Sequence, residues 1–327
     1  MLKLTFLGTG AACPTLDRNV ASLALTREGE TMLFDCGEGT QRQMMRYGVG
    51  FGFREIFFTH FHSDHLLGVI GLLRTLGLLN VFGGTERAEG LTLYGPKQAR
   101  RILSHALEVG LERVKFPVEI VELKPGDTIR RPEYDILTFP TEHRADSIGY
   151  ALAEHLRRGR FDPDRARAMG IPEGPLWGRI HRGENVTLPD GRVIEPRELV
   201  GEARIGRKVV ISGDTRPCAA LGEVARDADL LVHEATFSHE DLFRAKETGH
   251  STAREAAELA ASVRAKRLVL THISPRYSRE APELLAEARA FFPASEIARD
   301  GMEVEVGFVE KPEGVGRSEE EEVRGKK

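Results

Sequence analysis

Thr59-His60-Phe61-His62-Ser63-Asp64-His65 places four potential metal ligands within six residues, directly after the apolar run Ile56-Phe57-Phe58. That run reads as a buried strand, so the ligands fall where strand gives way to loop. Side chains at i and i+2 of an extended backbone project to one side, which lets His60 and His62 grip one ion together. Asp64 and His65 then face a second ion as the chain turns into the apolar stretch 66–79. Imidazoles with a carboxylate suit zinc, with manganese or iron as alternatives, better than calcium or magnesium. The competing reading is a histidine-rich loop of no consequence. Histidine is too scarce for that, at 11 in 327 residues.

One loop cannot furnish a two-metal site, so further donors must come from elsewhere. Three later segments share one pattern, an apolar strand running to a polar ligand. Ile136-Leu137-Thr138-Phe139 leads to His143, Lys208-Val209-Val210-Ile211 to Asp214, and Arg267-Leu268-Val269-Leu270 to His272. Strand ends are where α/β proteins place active-site groups. Each alone reads more readily as a structural polar residue; with the first cluster they make a binuclear set.

The formal net charge of −4 argues against a broadly basic nucleic-acid coat, so any RNA contact must be local. Cys13, Cys36 and Cys218 are too few and too scattered for a disulfide framework or a cysteine zinc site. The N-terminus lacks the basic and apolar regions of a secretory signal. The stretch 66–82 carries Arg74 and several glycines, fitting a buried helix rather than a membrane span. A cytoplasmic enzyme is expected.

Residues 151–182 interrupt the rhythm of strands and helices. They hold Arg157, Arg158, Arg160, Arg165, Arg167, Arg179 and Arg182, broken by Gly159, Gly170, Gly174, Pro172 and Pro175. Leu152, Leu156 and Phe161 would line a short helix, and Gly170–Leu176 reads as a turn-prone strip without core periodicity. Two readings stand level: arginines paired with Glu154, Asp162, Asp164 and Glu173 on a surface excursion, or arginines facing phosphates. Helices are expected over 252–263 and 281–291. A doubly wound sheet would show the same alternation, but Phe6-Leu7-Gly8-Thr9-Gly10 lacks the later glycines of a dinucleotide loop. The ligands point instead to two sheets face to face with helices outside, each half of the chain supplying one sheet. The tail beyond Lys311, with its run Glu319–Glu322, reads as disordered.

The HxHxDH cluster with later isolated His, Asp and His resembles the metallo-β-lactamase superfamily. Within it the chain is similar to ribonuclease Z, the tRNA 3′-processing endonuclease, from Met1 to about Phe308. The matching segments are Phe6–Gly10, Arg18-Asn19, Asp35-Cys36-Gly37-Glu38-Gly39-Thr40-Gln41, Gly213-Asp214-Thr215-Arg216-Pro217, His233-Glu234-Ala235-Thr236, Gly249-His250-Ser251-Thr252 and Thr271-His272-Ile273-Ser274-Pro275-Arg276-Tyr277. The resemblance implies an α/β fold, the αββα sandwich, as a catalytic domain over 1–310. Residues 151–182 would be an inserted flexible arm that clasps the tRNA elbow, and 311–327 a disordered acidic tail.

It also implies two zinc ions per subunit, with manganese or another divalent metal as a substitute. His60, His62 and His143 would hold one and Asp64, His65 and His272 the other, with Asp214 bridging. A hydroxide between them would attack phosphorus in line, Asp64 orienting it, while Glu234 and His250 relay a proton to the departing 3′ oxygen. RNA contacts would come from Arg157, Arg158, Arg160, Arg165, Arg167, Gly174, Pro175, Arg18 and Asn19. The partners implied are precursor tRNA and a second copy of the chain, with no membrane and no DNA. Cleavage would follow the discriminator base, leaving a 3′-hydroxyl on the tRNA and a 5′-phosphate on the trailer. Runner-up readings are a small-molecule phosphodiesterase of the same superfamily and a non-catalytic RNA-binding relative.

Two positions depart from the family pattern. Leu16 stands where Pro-x-Lys/Arg-x-Arg-Asn often has a basic residue, in the loop associated with sensing CCA. Ser63 stands where glycine is common, and its hydroxyl is expected to cap the following helix.

Overall fold

The computed structural model describes residues 1–82, 90–111, 114–277 and 280–308. The tail with Glu319–Glu322, expected to be disordered, lies outside them. Among the described residues, strands form two seven-stranded sheets and one small hairpin. The first sheet takes β1 (Leu2–Gly8), β2 (Ser22–Arg27), β3 (Glu30–Phe34), β4 (Glu55–Phe57), β5 (Leu91–Gly95) and β6 (Val118–Glu122) in order, with β16 (Glu303–Glu305) outside β1. The second runs β7 (Thr128–Arg130), β8 (Tyr134–Pro140), β9 (Ile148–Glu154), β12 (Lys208–Ile211), β13 (Leu230–Glu234), β14 (Leu268–Thr271) and β15 (Ser295–Ile297). Each sheet joins an antiparallel meander to parallel strands, pairing in parallel from β3 to β6 and from β12 to β15.

Alternation along the strands builds the layers. Val209 and Ile211 point between the sheets, beside Phe57, Tyr150 and Val232, while Val210 points outward beneath the helices with Leu231 and Leu270. Helix Ala253–Ser262 covers that outer face with Ala253, Ala256, Ala257 and Ala260 buried. The 66–82 stretch forms helix Gly68–Phe82 over the other sheet, burying Val69, Leu72, Leu73 and Leu76 at helical spacing. Burying each such leucine contributes about 1.5–3 kcal/mol. The result is helix, sheet, sheet, helix, as the ligand pattern suggested. Helix Ala253–Ser262 starts as expected, with a capping box in which Thr252 and Glu255 exchange side-chain and backbone bonds.

The excursion differs from its sequence reading in extent and in order. Ala151–Glu154 belong to β9, and Leu156 is exposed rather than helical. The chain leaves the sandwich after Glu154 and returns only at Arg207, as a two-stranded stalk. Glu154 N–H donates to Arg207 O at 2.9 Å, and Arg157 and Arg204 exchange bonds of 2.7 and 2.8 Å. A Cβ on Gly159 would lie 1.8 Å from Gly201 O, so the stalk narrows where only glycine fits. Beyond it stand helices Pro163–Ala168 and Pro175–His181 and the hairpin of β10 (Val186–Thr187) and β11 (Val193–Ile194).

This unit has its own apolar centre of Ala166, Ile171, Ile180, Val186, Leu188, Ile194 and Leu199. The strip 170–176 is therefore partly core. Its glycine and proline mark a helix start, with Gly174 at φ 136° as N-cap and Pro175 in the first turn. Asp162 caps the other helix by accepting from Arg165 N–H at 2.8 Å.

Candidate active site

The exits of β4, β8, β12, β13 and β14 converge at one end of the sandwich, and each carries a sequence-selected residue. His60 and His62 follow β4, and Asp64 and His65 lie in the short helix Ser63–Leu66. Its N-cap is His62; Ser63, expected to cap it, is the first helical residue. His143 follows β8, Asp214 follows β12, Glu234 ends β13 and His272 follows β14.

Seven donors fall into two groups. His62 Nδ1 lies 3.0 Å from His60 Nε2 and 3.2 Å from His143 Nε2. His272 Nε2 lies 3.3 Å from both His65 Nε2 and Asp64 Oδ2. A single oxygen, Asp214 Oδ2, reaches both groups, at 3.5 Å from His60, 3.9 Å from His143, and 3.4 Å from each of His65 and His272. Donor atoms within each of these clusters lie within 4.8 Å of one another, close enough to surround an ion.

The outer nitrogens decide which ring face is bare. His65 Nδ1 donates to Asp35 Oδ2 at 2.8 Å, and His143 Nδ1 donates to the Gly249 carbonyl at 2.9 Å. Thr59 Oγ1 donates to Asp35, so it accepts from His60 Nδ1 at 3.1 Å. Thr236 Oγ1 donates to Glu234, so it accepts from His272 Nδ1 at 2.9 Å. Each outer proton is thereby spoken for, and the inner Nε2 atoms of these four rings face the cluster.

Burial drives His60 well below its ordinary titration range and lowers His62, keeping both neutral as ligands. Burial opposes charge on His65 too, but the Asp214 and Asp35 carboxylates raise it well above the usual value. Burial would raise Asp214, yet His272, His65 and His60 pull it well below the carboxylate range. Buried carboxylates among inward-facing imidazole nitrogens form a pocket that favours positive charge, and the donor chemistry fits divalent ions of the zinc type.

Beside the cluster lies a second unit. His250 Nδ1 donates to Glu234 Oε1 at 2.9 Å, whereas Asp214 Oδ2 is 3.9 Å away. The shorter contact assigns His250 to Glu234 rather than to the ligand set. Glu234 is buried and fixed by Thr215 N–H at 2.8 Å, Ser251 N–H at 3.1 Å and Thr236 Oγ1 at 2.8 Å. Burial lowers the proton affinity of His250, but Glu234 more than offsets it and holds it up at about 9. A cleft of about 240 Å³ opens over the site, lined by His62, Asp64, Asp214, His250, His272, Phe237 and Arg276.

Several residues here carried no assigned role in the sequence reading. Asp35 holds both His65 and Thr59, Thr236 holds His272, the Gly249 carbonyl holds His143, and Ala12 N–H donates to Asp64 Oδ2 at 2.7 Å. Asp35 and His272 both adopt φ 56°, a left-handed backbone that few non-glycine residues adopt. Their signal was present, since Asp35, Thr236 and Gly249 all lie in the matching segments quoted above.

The expected RNA contacts divide. Arg18 does not face solvent: it is 3% exposed and donates to Thr9 Oγ1 and Ala298 O, each at 2.7 Å. Asn19 accepts from Thr9 and Gly10 N–H and donates to Glu38 O, so both residues brace the loop rather than meet a phosphate. Leu16 projects fully into solvent. In the arm, Arg167 is paired with Asp164 and Glu173, each at 2.7 Å, and Arg158 donates to His181 O. Arg157 stacks on Phe308 at 3.5 Å from the ring centre. Arg158, Arg160, Arg165 and Arg167 are exposed, as are Gly174 and Pro175.

The fold and the clustered donors define a metal-dependent hydrolase of the metallo-β-lactamase fold. Consistent with this, residues 199–273 match the model of the beta-lactamase superfamily domain, and residues 2–156 match that of the anti-Pycsar protein Apyc1. The chain is 58% identical to ribonuclease Z of Gemmatimonas aurantiaca, covering 95% of this chain and 98% of that one. It is 53% identical to ribonuclease Z of Myxococcus xanthus, covering 94% and 98%. The crystal structure of the short form of human tRNase Z superposes with a TM-score of 0.67 at 28% identity, covering 94% of this chain and all of that one. The chain belongs to the ribonuclease Z family.

Proposed function

We propose that the chain is a metal-dependent endoribonuclease that removes the 3′ trailer of precursor tRNA. It cuts after the discriminator base, leaving a tRNA 3′-hydroxyl and a 5′-phosphorylated trailer. The observation that carries this reading is Asp214 Oδ2 set between two donor clusters, next to an imidazole already tied to a buried carboxylate.

His60, His62 and His143 would hold one ion, Asp64, His65 and His272 the other, with Asp214 between them, and zinc suits this imidazole-rich set. Two such ions supply Lewis acidity toward the phosphoryl oxygens and ease loss of a proton from water. The chain's own residues do the rest. Ala12 N–H fixes Asp64, which orients the attacking water, and Glu234 holds the His250 ring with its second nitrogen free for the departing 3′ oxygen.

Arginines of the arm, Arg158, Arg160 and Arg165 among them, meet tRNA phosphates away from the cut. The partner is a second copy of the chain: helix Gly68–Phe82 leaves Leu78 60% exposed, and Leu67 and Met45 are exposed as well. Among the described residues no helix is long and apolar enough to cross a membrane, which fits a cytoplasmic setting.

The test is zinc-loaded protein incubated with trailer-bearing precursor tRNA, with and without encoded CCA. Trailer release that stops on chelation and returns with zinc supports the reading; intact precursor with two metals bound per chain contradicts it. Discrimination between the precursors reports on Leu16, which offers a phosphate no charge.

A further inference from the structure

Arg216 lies two residues beyond Asp214 and ties together the loops on either side. Its N–H donates to Glu142 O at 2.8 Å, beside the ligand His143. Its guanidinium donates to the His250 carbonyl and forms a forked pair with Glu255, with Nη1 2.8 Å from Glu255 Oε2. Both side chains are largely buried, 16% and 14% exposed. Glu255 in turn accepts from Thr252 N–H at 3.0 Å, closing the capping box two residues past His250. Thr215 completes the tie: its carbonyl accepts from Ser251 Oγ at 2.6 Å, and its N–H donates to Glu234.

We infer that Arg216, gripping the His250 carbonyl and Glu255 at once, positions His250 for proton delivery to the departing oxygen. Glu234 fixes the ring of His250, but a ring is only as well placed as its backbone. Residues 249–252 form a turn entering a helix, held on the sandwich side by Ser251 and the Arg216 fork. Arginine is required because one planar group must satisfy a carbonyl and both carboxylate oxygens together; lysine can keep the ion pair but not the full fork. Arg216 does not touch the reacting atoms, so it is a positioning residue. The inference rests on the assignment of His250 as general acid.

The test compares Arg216→Lys with the wild-type protein at saturating zinc. On precursor tRNA, kcat should fall about 10²-fold, the scale for misplacing a catalytic group by about an ångström, with KM little changed. In a His250→Ala background the same substitution should cost almost nothing more. On bis(p-nitrophenyl) phosphate, whose leaving group departs without a proton, Arg216→Lys should match wild type. A second readout needs no substrate: the His250 Nδ1–H resonance, assigned by its loss in His250→Ala, should broaden or shift in Arg216→Lys. Arg216→Met, checked for its melting temperature, repeats the series without the ion pair.

Additive losses in the double variant, equal losses on both substrates, or an unchanged His250 resonance would overturn the inference. If wild type leaves precursor tRNA uncut, the general-acid reading fails at that step, and the resonance still decides whether Arg216 places the ring.

Discussion

The strand-end site and the arm are built on opposite terms. At the site, every donor but His62 and His143 is buried, the outer nitrogens of His60, His65, His143 and His272 are held, and backbone strain is accepted at Asp35 and His272. In the arm, a small core of short helices and a hairpin stands on a two-stranded stalk, and Arg158, Arg160, Arg165 and Arg167 face outward. The site spends burial on placing a few atoms within a few ångströms. The arm spends a separate core on carrying charge away from them. Phosphoryl transfer needs the first kind of order, whereas holding a long folded RNA needs only local positive charge at the right distance.

Asp214→Asn should do the most damage. It replaces the carboxylate shared by both clusters with a neutral amide, so activity should fall on the order of 10⁴-fold, the scale for losing one member of a unit that acts together. Metal analysis should find fewer than two ions per chain. Full metal content with near-normal turnover would show that Asp214 is not the bridge. His250→Ala should cost about 10²–10⁴-fold in kcat while both ions stay bound, which separates proton delivery from metal binding.

The root of the arm can be broken without touching the site. Glu154, 3% exposed at its side chain, bonds Arg207 Nη2 and Nε at 2.6 and 2.8 Å and Arg27 Nε at 2.9 Å. Burial would raise its pKa, but the arginines bring it down to about 2 from an ordinary 4.5. A depressed folded-state value stabilises above the unfolded pKa, so this contribution is full above about pH 4.5 and vanishes as pH falls toward 2. Glu154→Ala takes the close carboxylate partner from buried Arg207 while Arg27 keeps Glu133 at 3.0 Å, and should cost about 3 kcal/mol at neutral pH. Glu154→Gln should flatten the acid limb of a melting-temperature profile; an unchanged limb would remove Glu154 from the account. The smallest effect belongs to single arm charges. Arg165→Ala should lower the slope of log affinity against log salt by at most about one, without moving the cut.

How much of this could be read from the sequence follows the same division. Ligands crowded into 59–65, and single donors ending apolar runs, are local signals, and the structure places all seven together. Strand alternation fixed the layers for the same reason. The supporting groups were harder: Asp35 and the Gly249 carbonyl act through contacts 30 and 106 residues apart in sequence, which no local spacing reveals. Arg18 entered the RNA contacts through the resemblance alone, and its burial, with Nη1 donating to Thr9 and Ala298, rests on contacts distant in sequence. The arm was misread in extent because its helices are one or two turns long, below the length at which periodicity shows. Its return strand, pairing Arg204 with Arg157, is a non-local fact.

The most direct measurement removes the arm between Arg157 and Arg204, closes the stalk with a short glycine turn, and follows two substrates in parallel. Expected is a loss of about 10²-fold or more in kcat/KM on precursor tRNA, mainly through KM, while hydrolysis of a small nitrophenyl phosphodiester and the content of two metals per chain persist. Equal losses on both substrates would place the arm within the chemistry. Undiminished tRNA cleavage would leave it no part in recognition. Either result would contradict the division between site and arm.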